Sequence, residues 1–144
     1  MVVSSDFKRT RETAEILHAY LLAKTPIRFE KALRERRYGA FDMMPVAIEN
    51  ERKVAELDKD DPSHTKYGIE SVISVVERMS TLVKKLDEEY KDKIFLLVSH
   101  LDPLQILITT FLGIPPGDHT SLPLLENCNI RELSDELMQQ QLLN

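Results

Sequence analysis

The 144-residue sequence has a single cysteine, Cys128, so it cannot form an internal disulfide bond. Few cysteines are typical of proteins in a reducing compartment, and the sequence favours a cytoplasmic location. No apolar run approaches the roughly 20 residues of a membrane span. The N-terminus does not show the basic and then apolar pattern of a signal peptide. A disulfide scaffold is therefore excluded, and a membrane protein is not expected.

Positive charge is also in deficit: 19 Lys and Arg against 24 Asp and Glu give a formal net charge of -5. A general nucleic-acid or anionic-membrane binder needs the opposite balance, so neither partner is expected. Arg34, Arg36 and Arg37 still stand close together and leave room for a local basic pocket. The length suits one domain over residues 1–144.

Several motifs that carry chemistry are absent. The sequence has no P-loop and no G-x-G-x-x-G. Ser4-Ser5 lacks the G-x-S-x-G context of a serine hydrolase. His18, His64 and His119 lack metal-ligand spacing, and there is no Cys/His cluster. The sequence therefore predicts neither a metal site nor a cofactor.

Helical and extended segments alternate along the chain, which indicates an α/β fold with a mostly parallel sheet. Helical spacing of apolar residues predicts helices over residues 7–22, 46–57, 69–86 and 104–112, the second of them charged and exposed. Extended patterns predict strands over residues 1–3, 27–29, 94–98 and 128–133. Because residues 94–98 are all apolar, we expect that strand to be covered on both faces.

His100 follows the strand predicted at 94–98 and precedes a helix for which Asp102 is a suitable N-cap. Ligands of open α/β sheets bind at the carboxyl ends of the strands. A helix N-terminus also attracts anions through its free N–H groups. His100 is therefore a candidate nucleophile or phosphate ligand. The alternative is a histidine that only hydrogen-bonds a loop.

Two further candidates are Arg9 and Glu35. Arg9 lies in the first turn of a helix that follows a short strand, where it can reach the same sheet edge and contact a phosphate with two N–H groups. A solvated surface arginine is the alternative. Glu35 lies among arginines and is either a general acid or base, or one member of a surface ion-pair cluster.

Five segments, taken in chain order, resemble the histidine phosphatase superfamily, whose members are phosphoglycerate mutase-like. The segments are SSDFKRTRETA at 4–14, LRERRYG at 33–39, GIES at 68–71 with Arg78, FLLVSH at 95–100 and NCNI at 127–130. The family counterparts are S-D-L-x-R-A-x-x-T-A, L-x-E-x-x-x-G, G-E-S with a later arginine, the strand that leads to the second catalytic histidine, and the strand that follows it.

The resemblance implies a three-layer α/β/α fold that transfers a phosphoryl group. It implies that Arg9 binds phosphate, that Glu35 gives a proton to the leaving group and that His100 contacts the phosphoryl oxygens. The partner would be a small phosphorylated substrate or a phosphate ion. Whether the reaction is that of a mutase or of a phosphatase stays open.

The sequence departs from the family in two ways. The family's first strand ends in R-H-G, whose histidine is the nucleophile, and no such tripeptide occurs here. The resemblance thus implies a truncated domain without that central strand. In addition, Leu101 stands where the family usually has glycine, and its side chain could crowd the phosphate or strain the backbone.

These departures rank the hypotheses. An inactive family member comes first, and a pseudophosphatase that uses Arg9 and His100 to bind an anion or a protein comes second. An active phosphatase with His100 as nucleophile comes third. The absent strand would lie between residues 94–98 and the strand near Ile130. We therefore expect that those two strands pair directly, that copies associate through an exposed sheet edge, that another chain supplies the strand, or that the chain is marginally stable.

Overall fold

The centre of the fold is a small sheet of three parallel strands. In the computed structural model, β1 (Val2–Ser4) lies in the middle, with β2 (Arg28–Phe29) on one side and β3 (Leu96–Val98) on the other. The structure describes residues 1–22, 24–44, 47–91 and 93–134. Since the strands are parallel, their carboxyl ends meet at one edge of the sheet.

The predicted helices form, with shifted boundaries. They are α1 (Lys8–Tyr20), α2 (Ile48–Asp60), α3 (Val72–Glu89) and α4 (Leu101–Leu112). Short 3-10 turns lie between them at Lys31–Leu33, Gly39–Phe41 and Lys66–Gly68, and another at Pro116–Ser121 follows α4. The start of α4 differs from the prediction, because His100 takes the N-cap position and Asp102 falls in the first turn. No helix in the described part of the chain is long and apolar enough to cross a membrane.

Helices cover both faces of the sheet. Val3 packs with the apolar side chains of α3 and α4, such as Met79 and Ile106, in the larger core cluster. Val2 and Val98 pack instead with Ala14 of α1. Successive side chains of a strand point to opposite faces, so the sheet separates α1 from α3 and α4. This arrangement confirms the predicted α/β class with three layers.

One strand prediction is wrong, and another is wrong in part. Residues 128–133 form no strand, and Ile130 is 71% exposed. Cys128 has a φ of 63°, in the left-handed region, which interrupts an extended chain there. The expected direct pairing of this segment with residues 94–98 is therefore not formed. The apolar run at 94–98 also joins the sheet only from Leu96, and Ile94, at 90% exposed, is not covered on either face.

One edge of β3 remains open among the described residues. The Leu96 N–H donates to the Met1 carbonyl at 2.9 Å, and the Val98 carbonyl accepts from the Ser5 N–H at 2.9 Å. Backbone groups of a strand alternate in direction, so those of Leu97 point away from β1. No strand in the described ranges pairs on that side.

We predict that the Leu97 amide exchanges at least about tenfold faster than the Leu96 amide in dilute protein, because its exchange needs no opening of the β1–β3 pair. Amide exchange followed by NMR measures this difference. Protection of Leu97 that grows with protein concentration would show that copies associate at the edge. Equal protection of both amides in dilute protein would contradict an open edge.

Candidate active site

His100 lies at the carboxyl edge of the sheet, directly after β3. The β1–β3 register sets Ser4 opposite Val98, so the chain leaves both strands at the same place. The His100 side chain is 2% exposed. Its Nε2 lies 3.0 Å from Ser5 Oγ, and its Nδ1 lies 2.7 Å from Arg9 Nη2 and 3.2 Å from Arg9 Nε. The imidazole is thus held on both nitrogens.

Arg9 and Glu35 complete the group. Arg9 stands in the first turn of α1, and its Nη2 lies 3.5 Å from Glu35 Oε2. Glu35 follows the turn Lys31–Leu33 and places the same oxygen 3.7 Å from His100 Nδ1. Its other oxygen accepts the Arg36 N–H at 3.0 Å. The structure therefore brings together the three side chains that the sequence singles out.

The electrostatics of the site favour uncharged forms of two groups. Burial, together with the positive charges of Arg9 and Arg78, lowers the pKa of His100 to about 4. Burial raises the pKa of Glu35, and the negative charge of Asp102 adds to that effect. At neutral pH the site therefore offers a neutral imidazole beside a carboxyl group with increased proton affinity.

Neighbouring contacts hold the walls of the site. Arg34 donates to both carboxylate oxygens of Asp6, at 2.7 and 2.6 Å. The Phe7 ring meets the His100 imidazole edge to face, with centroids 5.3 Å apart. Leu101 is 41% exposed and begins α4 as a helical residue, outside the positive-φ region. The backbone strain expected at Leu101 is therefore absent.

A buried ion pair lies under the site and was missed in the sequence. The Arg36 side chain is fully buried and donates to both oxygens of Asp58, at 2.7 and 2.6 Å. His64 Nε2 lies 2.9 Å from Asp58 Oδ1. Arg36 therefore belongs to the interior and not to a basic pocket. The prediction of an exposed second helix also needs correction, because α2 buries Asp58 and Val54.

A second histidine, His119, joins this network through Asp102. His119 Nδ1 faces the Pro116 carbonyl at 3.0 Å, and its Nε2 lies 2.9 Å from Asp102 Oδ1. Asp102 lies in turn 3.3 Å from Arg36 Nη1. Burial opposes a charge on His119, but the hydrogen bond and attraction to Asp102 outweigh it and raise the pKa of His119. We name the set Arg36, Asp58, His64, Asp102 and His119 the buried charge network.

No spacing in the sequence signals the buried charge network. Its members come from the loop after Leu33, from α2, from α4 and from two separate turns. Only tertiary packing brings them together. Its charged groups nevertheless lie beside one another as ion pairs, which is the usual condition for burying such residues.

Comparison with known proteins agrees with this geometry. The mycobacterial glucosyl-3-phosphoglycerate phosphatase solved with inorganic phosphate superposes with a TM-score of 0.72 at 26% identity, over 88% of this chain and 65% of that one. The α-ribazole phosphatase from Shigella flexneri superposes with a TM-score of 0.64 at 20% identity, over 85% of this chain and 61% of that one. The fold is thus that of the phosphoglycerate mutase-like phosphatases.

The sequence comparisons identify the family itself. Residues 1–143 match the histidine phosphatase superfamily (branch 1), and the chain belongs to that superfamily. An uncharacterized phosphatase of Bacillus subtilis (strain 168), PhoE, is 28% identical over 116 residues, which are 81% of this chain and 55% of that protein. The chain thus spans between 55% and 65% of the length of these three relatives.

The two shifted histidines predict a stability maximum near pH 6.5. The pKa of His100 is about 4 in the fold, against about 6.5 when unfolded. The unfolded state then binds more protons between these values, so stability falls as the pH drops from about 6.5 to 4, by up to about 3 kcal/mol. The raised pKa of His119 has the opposite effect. Its contribution to the free energy of unfolding is complete below pH about 6.5 and is lost as the pH rises through the pKa that His119 has in the folded state.

Urea unfolding between pH 4.5 and 8.5 measures the free energy of unfolding on the acid limb, below the maximum, and on the alkaline limb, above it. We expect His100→Gln to flatten the acid limb relative to wild type, and His119→Gln to flatten the alkaline limb. Each variant is the control for the other. Identical pH dependence in wild type and His100→Gln would show that His100 is not held neutral in the fold.

Proposed function

We propose that Arg9, Glu35 and His100 form the phosphoryl-binding site of a histidine phosphatase family protein that acts on a small phosphorylated molecule. The ancestral reaction is phosphoryl transfer from a phosphate ester through a phosphohistidine. The observation that carries the proposal is the convergence of the three side chains within 3.7 Å of one another at the carboxyl edge of the sheet. A relative of the same fold was solved with inorganic phosphate.

The chemistry of phosphoryl transfer suits these groups. Negative charge spreads over the equatorial oxygens in the transition state, and fixed cations and donors stabilise it. Arg9 can supply two N–H groups to such oxygens. Glu35 has a raised pKa, so its carboxyl group is suited to give a proton to the departing alkoxide.

We further propose that these 144 residues do not turn over phosphate esters by themselves. The sequence contains no Arg-His-Gly, the tripeptide that carries the family's nucleophile. His100 is a poor substitute, because Arg9 covers its Nδ1 and Ser5 faces its Nε2. The second candidate function follows from the same contacts: a non-catalytic pseudophosphatase that binds an anion or a protein at Arg9 and His100.

Phosphate binding tests the site directly. We expect inorganic phosphate to bind the chain, and Arg9→Gln to weaken binding at least about tenfold, because it removes charge-assisted hydrogen bonds. Arg11→Gln is the matched control, since it removes the same charge from the same helix and Arg11 lies over the Phe29 ring, 4.3 Å from its centroid. Isothermal titration calorimetry gives the affinities. If both substitutions weaken phosphate binding equally, the loss follows from net charge alone, and the proposal that Arg9 contacts the phosphate is contradicted.

An assay with p-nitrophenyl phosphate tests the proposed inactivity. We expect no turnover above background from residues 1–144, because a covalent nucleophile supplies much of the rate enhancement. Adding a strand that ends in Arg-His-Gly should restore turnover, and Glu35→Gln should lower it again. Robust turnover by the 144 residues that disappears in His100→Ala would instead make His100 the nucleophile.

A further inference from the structure

The contacts of Arg9 determine which nitrogen of His100 carries the proton. A guanidinium group has only donors. Arg9 Nη2 and Nε lie 2.7 and 3.2 Å from His100 Nδ1, so Nδ1 is the acceptor and holds a lone pair. The proton of the neutral ring is therefore on Nε2, which donates to Ser5 Oγ at 3.0 Å.

Ser5 keeps Nε2 away from the site. The residue is completely buried at the end of β1, and its Oγ also accepts the Phe7 N–H at 3.3 Å. Nε2–H thus points into the interior and cannot serve an anion on the side of Arg9 and Glu35. Any contact between His100 and an anion must use Nδ1.

This tautomer cannot bind an oxyanion as it stands. An unprotonated oxyanion oxygen, such as each oxygen of sulfate, and the Nδ1 lone pair are both acceptors, and they repel. Arg9 has to leave Nδ1 before Nδ1 can contact the anion, and the vacated lone pair then needs a proton before it can donate. Moving the Nε2 proton to Nδ1 would keep the ring neutral and would require the Ser5 hydroxyl to donate to Nε2. A proton from solvent instead converts His100 to imidazolium, which donates from Nδ1 to the anion and from Nε2 to Ser5 and adds a positive charge that the anion stabilises.

We propose that the binding of a tetrahedral oxyanion at this site is coupled to the uptake of one proton on Nδ1 of His100. This inference rests on the proposed phosphoryl-binding function and adds a pH dependence to it.

The charged groups around His100 favour a proton on both ring nitrogens only when an anion is bound. Arg9 from α1 and Arg78 from α3 both disfavour a charged imidazole. A bound dianion would reverse the sign of the local field. Glu35 faces the same nitrogen from its loop, and Asp102 of α4 acts on Glu35.

Glu35 is the competing proton acceptor, because its own pKa is raised. The test must therefore distinguish a proton on His100 from a proton on Glu35. Sulfate is the suitable probe, since it has the shape of phosphate and does not itself titrate near neutral pH. Calorimetric titrations of the 144-residue chain with sulfate, in buffers of different ionisation enthalpy, count the protons taken up.

We expect about one proton per sulfate, and an affinity that falls about tenfold per pH unit, where the pH lies between the pKa of His100 in the free chain and its higher pKa in the complex. His100→Gln should bind sulfate without proton uptake and with a flat pH profile, because an amide N–H donates without titrating. Glu35→Gln should keep the uptake. In wild type, ¹⁵N NMR should show Nδ1 changing from unprotonated to protonated when sulfate is added.

Sulfate binding without proton uptake in wild type would overturn the proposal. Uptake that persists in His100→Gln and disappears in Glu35→Gln would also overturn it, by moving the proton to Glu35. Failure of wild type to bind sulfate or phosphate at any pH is a different result. It would refute the proposed phosphoryl site itself, and the proton coupling with it.

Discussion

The parallel pairing of β1 with β3 is the constraint on which the site depends. Its register sets Ser4 opposite Val98 and so places Ser5 beside His100 at the carboxyl edge of the sheet. A one-residue slip would turn every side chain of β3 to the other face. The two core clusters oppose such a slip, since Val98 packs towards α1 while Leu97 packs towards α3 and α4. Burial of apolar side chains thus sets the position of the imidazole.

The buried charge network fixes the position of the loop that carries Glu35. Arg36 follows Glu35 directly, and its guanidinium is held by Asp58, by the Glu70 carbonyl at 2.7 Å and by Asp102. Removing one partner of a buried ion pair generally costs about 3–5 kcal/mol, because the other charge is left without a partner. Such a pair is therefore better understood as fixing one geometry of the loop than as adding net stability. The loop geometry in turn sets the position of the Glu35 carboxyl group beside His100.

Local patterns in the sequence predict the elements and the site but not the interior polar contacts. The helical spacing of apolar residues predicts α3 and α4, because each buries one stripe against the sheet. The same spacing predicts α1, but Ile16 and Tyr20 of that helix are 70% and 85% exposed. Arg9 and His100 are predictable because each lies just after a strand, at the edge where parallel strands end together. Asp58 and His64 are not predictable, because nothing local distinguishes a buried acid in a charged helix, or a buried histidine in the loop after it, from a solvated one. Cys128 shows the opposite error, because a segment predicted to be extended leaves the extended region at this residue.

A crystal structure of the chain with bound sulfate tests the central claim most directly, namely that Arg9 and His100 act on one oxyanion. The account predicts a sulfate whose oxygens lie within hydrogen-bond distance of the Arg9 guanidinium and of His100 Nδ1, with Arg9 displaced from the imidazole and Ser5 still on Nε2. A sulfate bound elsewhere, with the Arg9–His100 contact intact at high sulfate concentration, would contradict it.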